Sequence, residues 1–276
     1  MKLATARIAG TAHAVRVDGD TLVDLDAHDL GEFLSRPGWR DAAARATSPS
    51  WPASEATLTT LIPHPSKVIC VGLNYRRHIA EMGREMPQYP TLFAKFADTL
   101  IGPTDAIVRP AETQAFDWEV ELAIVIGARV RRADATQAEH AIAGFTVLND
   151  ITCRDWQART NEWLQGKNWE ATTPVGPHLV TPDELPGGVR PELAIRLTVD
   201  GVQMQSDTTA DLIFGPVELV RYISTMTTLN PGDIIATGTP AGVGHARRPP
   251  RYLLGGETVV AEIDGIGQLR NRVVAE

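Results

Sequence analysis

The chain has 276 residues, 43% of them hydrophobic and 22% charged, which is enough apolar material for a sizeable core and excludes wholesale disorder. At roughly 150 residues per domain, this length points to one large domain or a main domain with a small appendage. The formal charge of −8 opposes non-specific affinity for a phosphate backbone or an anionic membrane, so neither a nucleic-acid nor a membrane partner is expected. Cys70 and Cys153 lack Cys-x-x-Cys spacing, which excludes a disulfide framework and a thiolate zinc site and leads us to expect a reducing, cytoplasmic setting. The longest strongly apolar run, Leu122 to Ala128, ends at Arg129, well short of the ~20 residues of a membrane-spanning helix. Arg7 and the glycine near it interrupt any secretion-signal pattern.

In chain order, residues 1–60 are expected to form a small β-rich N-terminal domain with its linker, and residues 61–276 the main domain. Ala14 to Val17 and Thr21 to Leu25 alternate around Asp18-Gly19-Asp20, a hairpin composition. Ser48 to Pro65 carries Pro52, Pro63 and Pro65 among Ser and Thr and is expected to be the linker. Strands are expected at Val68 to Val71, Val120 to Ile126, Gly144 to Leu148, Leu193 to Val199, Asp233 to Ala236 and Val259 to Ile263. Helical spacing is found in Tyr75 to Met82, Thr136 to Ala141 and Val217 to Met226, the last behind Pro216. The tail forms a terminal hairpin, Glu257 to Ile263 and Gln268 to Val274 around Asp264-Gly265-Ile266-Gly267. The fold class is therefore mixed and β-rich, an α/β protein with few helices.

The most informative segment is Asp117-Trp118-Glu119-Val120-Glu121-Leu122. In a strand, alternate side chains share a face at about 6.6 Å, twice the ~3.3 Å rise, so these three acids would stand together. Unpaired carboxylates repel one another and are costly to bury. Two arrangements satisfy the pattern: a half-exposed strand with a solvated polar face, or a cluster around a hard divalent cation, Mg²⁺ or Mn²⁺. Asp150, at the end of Gly144 to Asn149, offers a further ligand, or alternatively a turn or helix cap.

Taken in order, the motifs are Val71-Gly72-Leu73-Asn74-Tyr75 with His78 and Glu81, Phe93-Ala94-Lys95, Asp117 to Glu121, Asn149-Asp150 with Arg154-Asp155-Trp156-Gln157, Gly166-Lys167, and Pro231 to Pro240. Collinear over Ser66 to Val274, this set resembles the fumarylacetoacetate hydrolase family. The resemblance implies a β-roll catalytic domain, commonly a homodimer, with a smaller N-terminal domain. It implies that Glu119, Glu121 and Asp150 bind Mg²⁺, with Asp117 structural, and that His78 and Glu81 pair to activate water. On a helix, positions i and i+3 are neighbours, so a carboxylate can orient an imidazole there; without the surrounding motif, the same spacing is that of a solvated helix face. Met82 and Gly83 fit a mobile lid. The likeness also assigns Lys167 to charge on a substrate oxygen and Lys95, Gln157 and Thr239 to substrate contact, although Thr237 to Pro240 alone would equally be a tight turn. Relatives carry an aspartate and an aromatic after Gly-Lys, where this chain has Asn168-Trp169-Glu170, a departure that bears on substrate choice.

The implied activity is metal-dependent hydrolysis of the C–C bond of a 2,4-dioxo acid such as an acylpyruvate or fumarylpyruvate, releasing pyruvate from a small 2-oxo acid substrate. Water deprotonated by His78 would attack the distal carbonyl, with Lys167 stabilising the oxyanion. The alternatives are decarboxylation of an oxaloacetate-type acid, isomerisation of 2-hydroxyhepta-2,4-diene-1,7-dioate in aromatic catabolism, and, from another class, a non-catalytic metal-stabilised binding protein.

Overall fold

The apolar run at the centre of the sequence forms the strand Val120–Ile126, buried along its whole length in a computed structural model that describes residues 1–81, 83 and 85–276. Its side chains alternate between two cores. Val120, Leu122, Ile124 and Ile126 pack into one, with Ile195, Leu197 and Ile263 among others; Ala123 and Val125 pack into the other, with Leu30, Phe33 and Trp39. A period of two explains why this strand reads as continuously apolar.

The strand lies inside a twelve-stranded sheet in which Thr173–Val180, Ile142–Asn149, Val120–Ile126, Ile234–Ala236, Val68–Gly72 and Thr91–Lys95 are successive neighbours. A second sheet of five strands includes Ala194–Val199, Thr258–Ile263 and Gly267–Ala275, and its inward residues complete the first core. The last two pair as the expected terminal hairpin, with Ile263 opposite Gly267. The helices Arg76–Glu81, Ala135–Ala141 and Pro216–Met226 stand where helical spacing placed them. The second is closed by a capping box between Asp134 and Gln137, which satisfies two otherwise orphaned N–H groups. The lid expected around Met82 and Gly83 falls partly on Met82, which lies outside the described residues. Among the described residues no helix is long and apolar enough to cross a membrane.

The N-terminal segment differs from expectation in three ways. The hairpin of Thr11–Asp18 and Thr21–Asp24 forms as anticipated, but Lys2–Ile8 pairs with Thr173–Val180 and so joins the large sheet. The stretch expected to be a linker contains the strands Ser50–Pro52 and Ala56–Leu58, paired with Thr21–Asp24 and Lys2–Ile8. Pro52 is tolerated because Ser50–Pro52 ends the strand order, where a missing N–H breaks no inner ladder. Two short helices, Leu30–Leu34 and Trp39–Arg45, interrupt the β-rich reading, and they cover the second face of the central strand.

Trp39 anchors that cover. It is buried, donates from Nε1 to the Gly127 carbonyl at 3.0 Å, and stands edge-on to Phe33 at 6.4 Å between ring centroids. Trp39→Ala is expected to destabilise the protein by about 3–5 kcal/mol, read as a lowered denaturant midpoint. An unchanged midpoint would show that the helical cover contributes nothing to the sheet beneath it.

Candidate active site

Glu119 and Glu121 stand at the start of the central strand, on the face of Ala123 and Val125 but beyond the reach of the N-terminal helices. Asp150 follows the neighbouring strand Ile142–Asn149, whose last residue pairs with Val120. Glu119 and Asp150 are joined directly: the Asp150 N–H donates to the Glu119 carbonyl at 2.8 Å, and the Glu119 N–H donates to Asn149 Oδ1 at 3.0 Å. One oxygen from each of Glu119, Glu121 and Asp150 lies within 4.8 Å of the others, and all three residues are buried.

Three cations surround these acids. Lys167 Nζ donates to Asp150 Oδ2 at 2.6 Å and Glu119 Oε2 at 2.8 Å. Lys95 Nζ donates to Asp150 Oδ1 at 2.7 Å. Arg154 holds Glu119 Oε1 through Nη1 at 2.7 Å and Asp117 Oδ2 through Nε at 2.8 Å. Gly166 lets Lys167 approach, since a Cβ there would lie 2.5 Å from Gln157 Cβ and 2.7 Å from the Cys153 carbonyl oxygen.

Burial alone would lower the Lys167 pKa, but Asp150 and Glu119 outweigh it and hold the ammonium charged. Burial would likewise raise Asp150, and Lys167 and Lys95 override it, leaving the carboxyl below its ordinary value. Glu121 has no ion-pair partner of its own among the described residues. Desolvation, then the negative charges of Asp150 and Glu119, push it well above the usual carboxylate range, and the charge of Lys167 and the Gly238 N–H at 2.7 Å only partly compensate. A buried carboxylate without its own cation, beside two others at chelating distance, fits a hard divalent cation with oxygen ligands.

The cluster forms one wall of a cavity of about 530 Å³. His78 also lines it and sits on Arg76–Glu81 with Nδ1 3.3 Å from Glu81 Oε2. The hydrogen bond from His78, its largest influence, lowers the Glu81 pKa and keeps the carboxylate ionised. The helix is set in place by Asn74, whose Nδ2 donates to the Thr237 carbonyl at 2.8 Å, and by the Gly242 N–H on Glu81 at 3.3 Å.

Of the other expected site residues, Gln157 lines the cavity and accepts from Arg154 at 3.1 Å. Thr239 lines it too, but its hydroxyl already donates to the Val120 carbonyl and accepts from Gln205. Lys95 is not among the residues lining the cavity, and its ammonium donates to Asp150 Oδ1 and the Ile151 carbonyl, which makes it a counter-ion to the buried acid. Asp117, on the short strand Phe116–Asp117, turns away from the cluster to accept from the Gly244 and His245 N–H groups. The sequence reading assigned no role to Arg154, to His245 or to Trp163, all on the cavity wall. The one signal available was a lone arginine close after an acid suspected of burial.

Lys95→Met strands the Asp150 carboxylate beside Lys167 alone, and is expected to destabilise the fold by about 3–5 kcal/mol. Denaturant unfolding checks this, and a loss under 1 kcal/mol would mean that the buried pair carries little of the cluster.

Comparison with known proteins agrees with this geometry. The model of the fumarylacetoacetate (FAA) hydrolase C-terminal domain matches residues 67–274. The chain is 44% identical over 269 residues to the mitochondrial oxaloacetate tautomerase FAHD2A of Bos taurus, and 39% identical to that of Homo sapiens, covering 93% of this chain and 85% of each relative. Among solved structures, the fumarylacetoacetate hydrolase of Exiguobacterium antarcticum superposes with a TM-score of 0.89 at 33% identity, over 100% of both chains. The 2-hydroxyhepta-2,4-diene-1,7-dioate isomerase of Mycobacterium marinum gives 0.82 at 32% identity, over 100% of this chain and 99% of its own. The expectation of a cytoplasmic protein is overturned by the mitochondrial setting of the curated relatives. The two cysteines are free and buried, a state that carries no information about which compartment holds the protein. With its mixed β-rich architecture and a family model spanning most of its length, the chain belongs to the fumarylacetoacetate hydrolase family of enzymes.

Proposed function

We propose that the protein catalyses keto–enol tautomerisation of a 2-oxo dicarboxylic acid of the oxaloacetate type, with Mg²⁺ as the resident ion. The observation that carries this reading is the buried triad of Glu119, Glu121 and Asp150 at chelating distance in a cavity that also holds His78. The relatives named oxaloacetate tautomerase and the isomerase neighbour favour proton relocation over C–C hydrolysis. A divalent ion on the triad supplies Lewis-acid polarisation of a carboxylate and its neighbouring keto oxygen, which acidifies the adjacent C–H.

The chain's own groups then move one proton. Glu81, ionised, accepts the Nδ1–H of His78 and leaves Nε2 with its lone pair free to take a proton from C3. Lys167 has three N–H donors and spends two on Asp150 and Glu119, so the third is available to an oxygen at C2. Phe93 stands under that ammonium, 5.0 Å from Nζ to the ring centroid, and shields it from water. His78, protonated by C3, returns that proton to the C2 oxygen while Lys167 keeps its own, so substrate and product are isomers, the base is regenerated, and no water is consumed.

Tautomerisation is followed by the ultraviolet absorbance of the enol, with the uncatalysed rate subtracted. His78→Ala is expected to lower kcat by about 10²–10⁴-fold. Chelation of divalent ions should abolish catalysis, and Mg²⁺ should restore it. At about 100 times its Kd, Mg²⁺ should also stabilise the fold by about 2.7 kcal/mol, an effect lost in Glu121→Gln. Stoichiometric release of pyruvate from acetylpyruvate with no acceleration of the oxaloacetate enol would reject this reading in favour of the hydrolase.

A further inference from the structure

His245 lines the same cavity as His78, yet the proton transfer proposed above makes no use of it. Its position is built into the fold. Buried Asp117 accepts the N–H of Gly244 at 2.7 Å and of His245 at 3.0 Å, while also holding Arg154 Nε at 2.8 Å. The turn requires glycine at 244, because a Cβ there would lie 1.9 Å from the Arg251 carbonyl oxygen and 2.7 Å from Asp117 Oδ1. On its other side the imidazole is fixed by Tyr252, whose hydroxyl oxygen is 2.9 Å from Nδ1.

Desolvation, and then the Arg154 guanidinium, lower the His245 pKa and favour the neutral ring. A neutral imidazole that accepts the Tyr252 hydroxyl proton at Nδ1 carries its own hydrogen on Nε2 and is a donor there. Arg154 presents a second donor. Its Nε and Nη1 are committed to carboxylates, but Nη2 is buried with no hydrogen-bond partner among the described residues. An unsatisfied buried guanidinium N–H is costly in the absence of a ligand. His245 and Arg154 both line the cavity and are joined to the acid cluster through Asp117 and Glu119.

We propose that His245, positioned by Asp117 and Tyr252, donates to the distal carboxylate of the substrate and thereby selects dicarboxylic 2-oxo acids over those ending in an alkyl group. The proposal rests on the oxo-acid reading of the site and assigns the end of the molecule that the triad does not hold.

Oxaloacetate and 2-oxobutyrate share carbons 1 to 3 and differ in a carboxylate or a methyl at C4, so their comparison isolates the contact. Binding of each to the full chain is measured by calorimetry with saturating Mg²⁺, alongside tautomerisation kinetics. Wild type is expected to prefer oxaloacetate by at least tenfold, on the scale of one hydrogen bond to a charged group. His245→Met should erase most of that preference by weakening oxaloacetate alone, with the effect on KM exceeding that on kcat. His245→Asn, which retains an N–H donor, should recover part of it, and Tyr252→Phe should give an intermediate loss. A preference that survives His245→Met, or an equal weakening of both acids, overturns the assignment. Oxaloacetate that binds with the expected preference but is not tautomerised sinks the proposed reaction and supports the role of His245. Rapid tautomerisation with no preference between the two acids does the reverse.

Discussion

The site depends on an electrostatic imbalance buried between two cores. Asp117, Glu119, Glu121 and Asp150 contribute four carboxylates, and Lys95, Lys167 and Arg154 answer with three cations. Three of the acids are held by ion pairs, and among the described residues Glu121 is left with a single backbone N–H. Isolated buried charge is among the most expensive features a fold can carry, so the raised Glu121 pKa marks a carboxyl that a bound cation would hold ionised. With a divalent ion added, the same pocket acquires an excess of positive charge and becomes receptive to an anionic acid. By the same charge balance, a bound divalent ion would favour the binding of an anionic substrate.

Such a cluster requires a frame that cannot relax around it. The central strand supplies one by being covered twice, by the five-stranded sheet on one face and by Leu30, Phe33 and Trp39 on the other. Glu119 and Glu121 fall on the second face, at the strand end where the helical cover stops and the cavity opens. The cations arrive from separate places: Lys95 at the end of Thr91–Lys95, Arg154 at the start of a short helix after Asp150, and Lys167 at the end of Leu164–Lys167. Each contact joins positions at least 17 residues apart, so the charges meet through tertiary packing of strands and short helices.

This division between local and distant explains what could be read from the residues alone. The alternation of Glu119 and Glu121 is a local property of a strand, so the carboxylate pair was visible, as were the helix over Thr136 to Ala141 and the terminal hairpin. The pairing of Lys2–Ile8 with Thr173–Val180 was not, because an isolated strand carries no record of its partner. The contact of Lys95 with Asp150 was hidden for the same reason: which buried acid a lysine meets is decided by the neighbouring strands. The Pro-rich stretch from Ser48 to Pro65 obscured two edge strands, since the turn chemistry of proline and serine masks pairing that needs only one free side. His245 had no pattern to announce it, and only the three-dimensional turn around Asp117 brings it to the cavity.

Asp117 therefore has a different standing from the acids two and four positions after it. It spends its oxygens on Arg154, Gly244, His245 and the Trp118 N–H, so it ties the strand that bears Glu119 and Glu121 to the rim of the cavity. Reactions as different as hydrolysis, decarboxylation and tautomerisation share the need for a carboxylate and keto oxygen held at a metal, and a common fold does not distinguish them. What separates them is the remainder of the cavity: whether water has a place beside the base, and what meets the far end of the acid. In this chain the proposed base, His78, and the proposed donor, His245, belong to different segments, one held by Asn74 and Glu81 and the other by Asp117 and Tyr252. Proton transfer and choice of substrate can thus change independently while the buried charge cluster between them stays fixed, and this gives a physical route by which one family comes to contain hydrolases, isomerases and tautomerases.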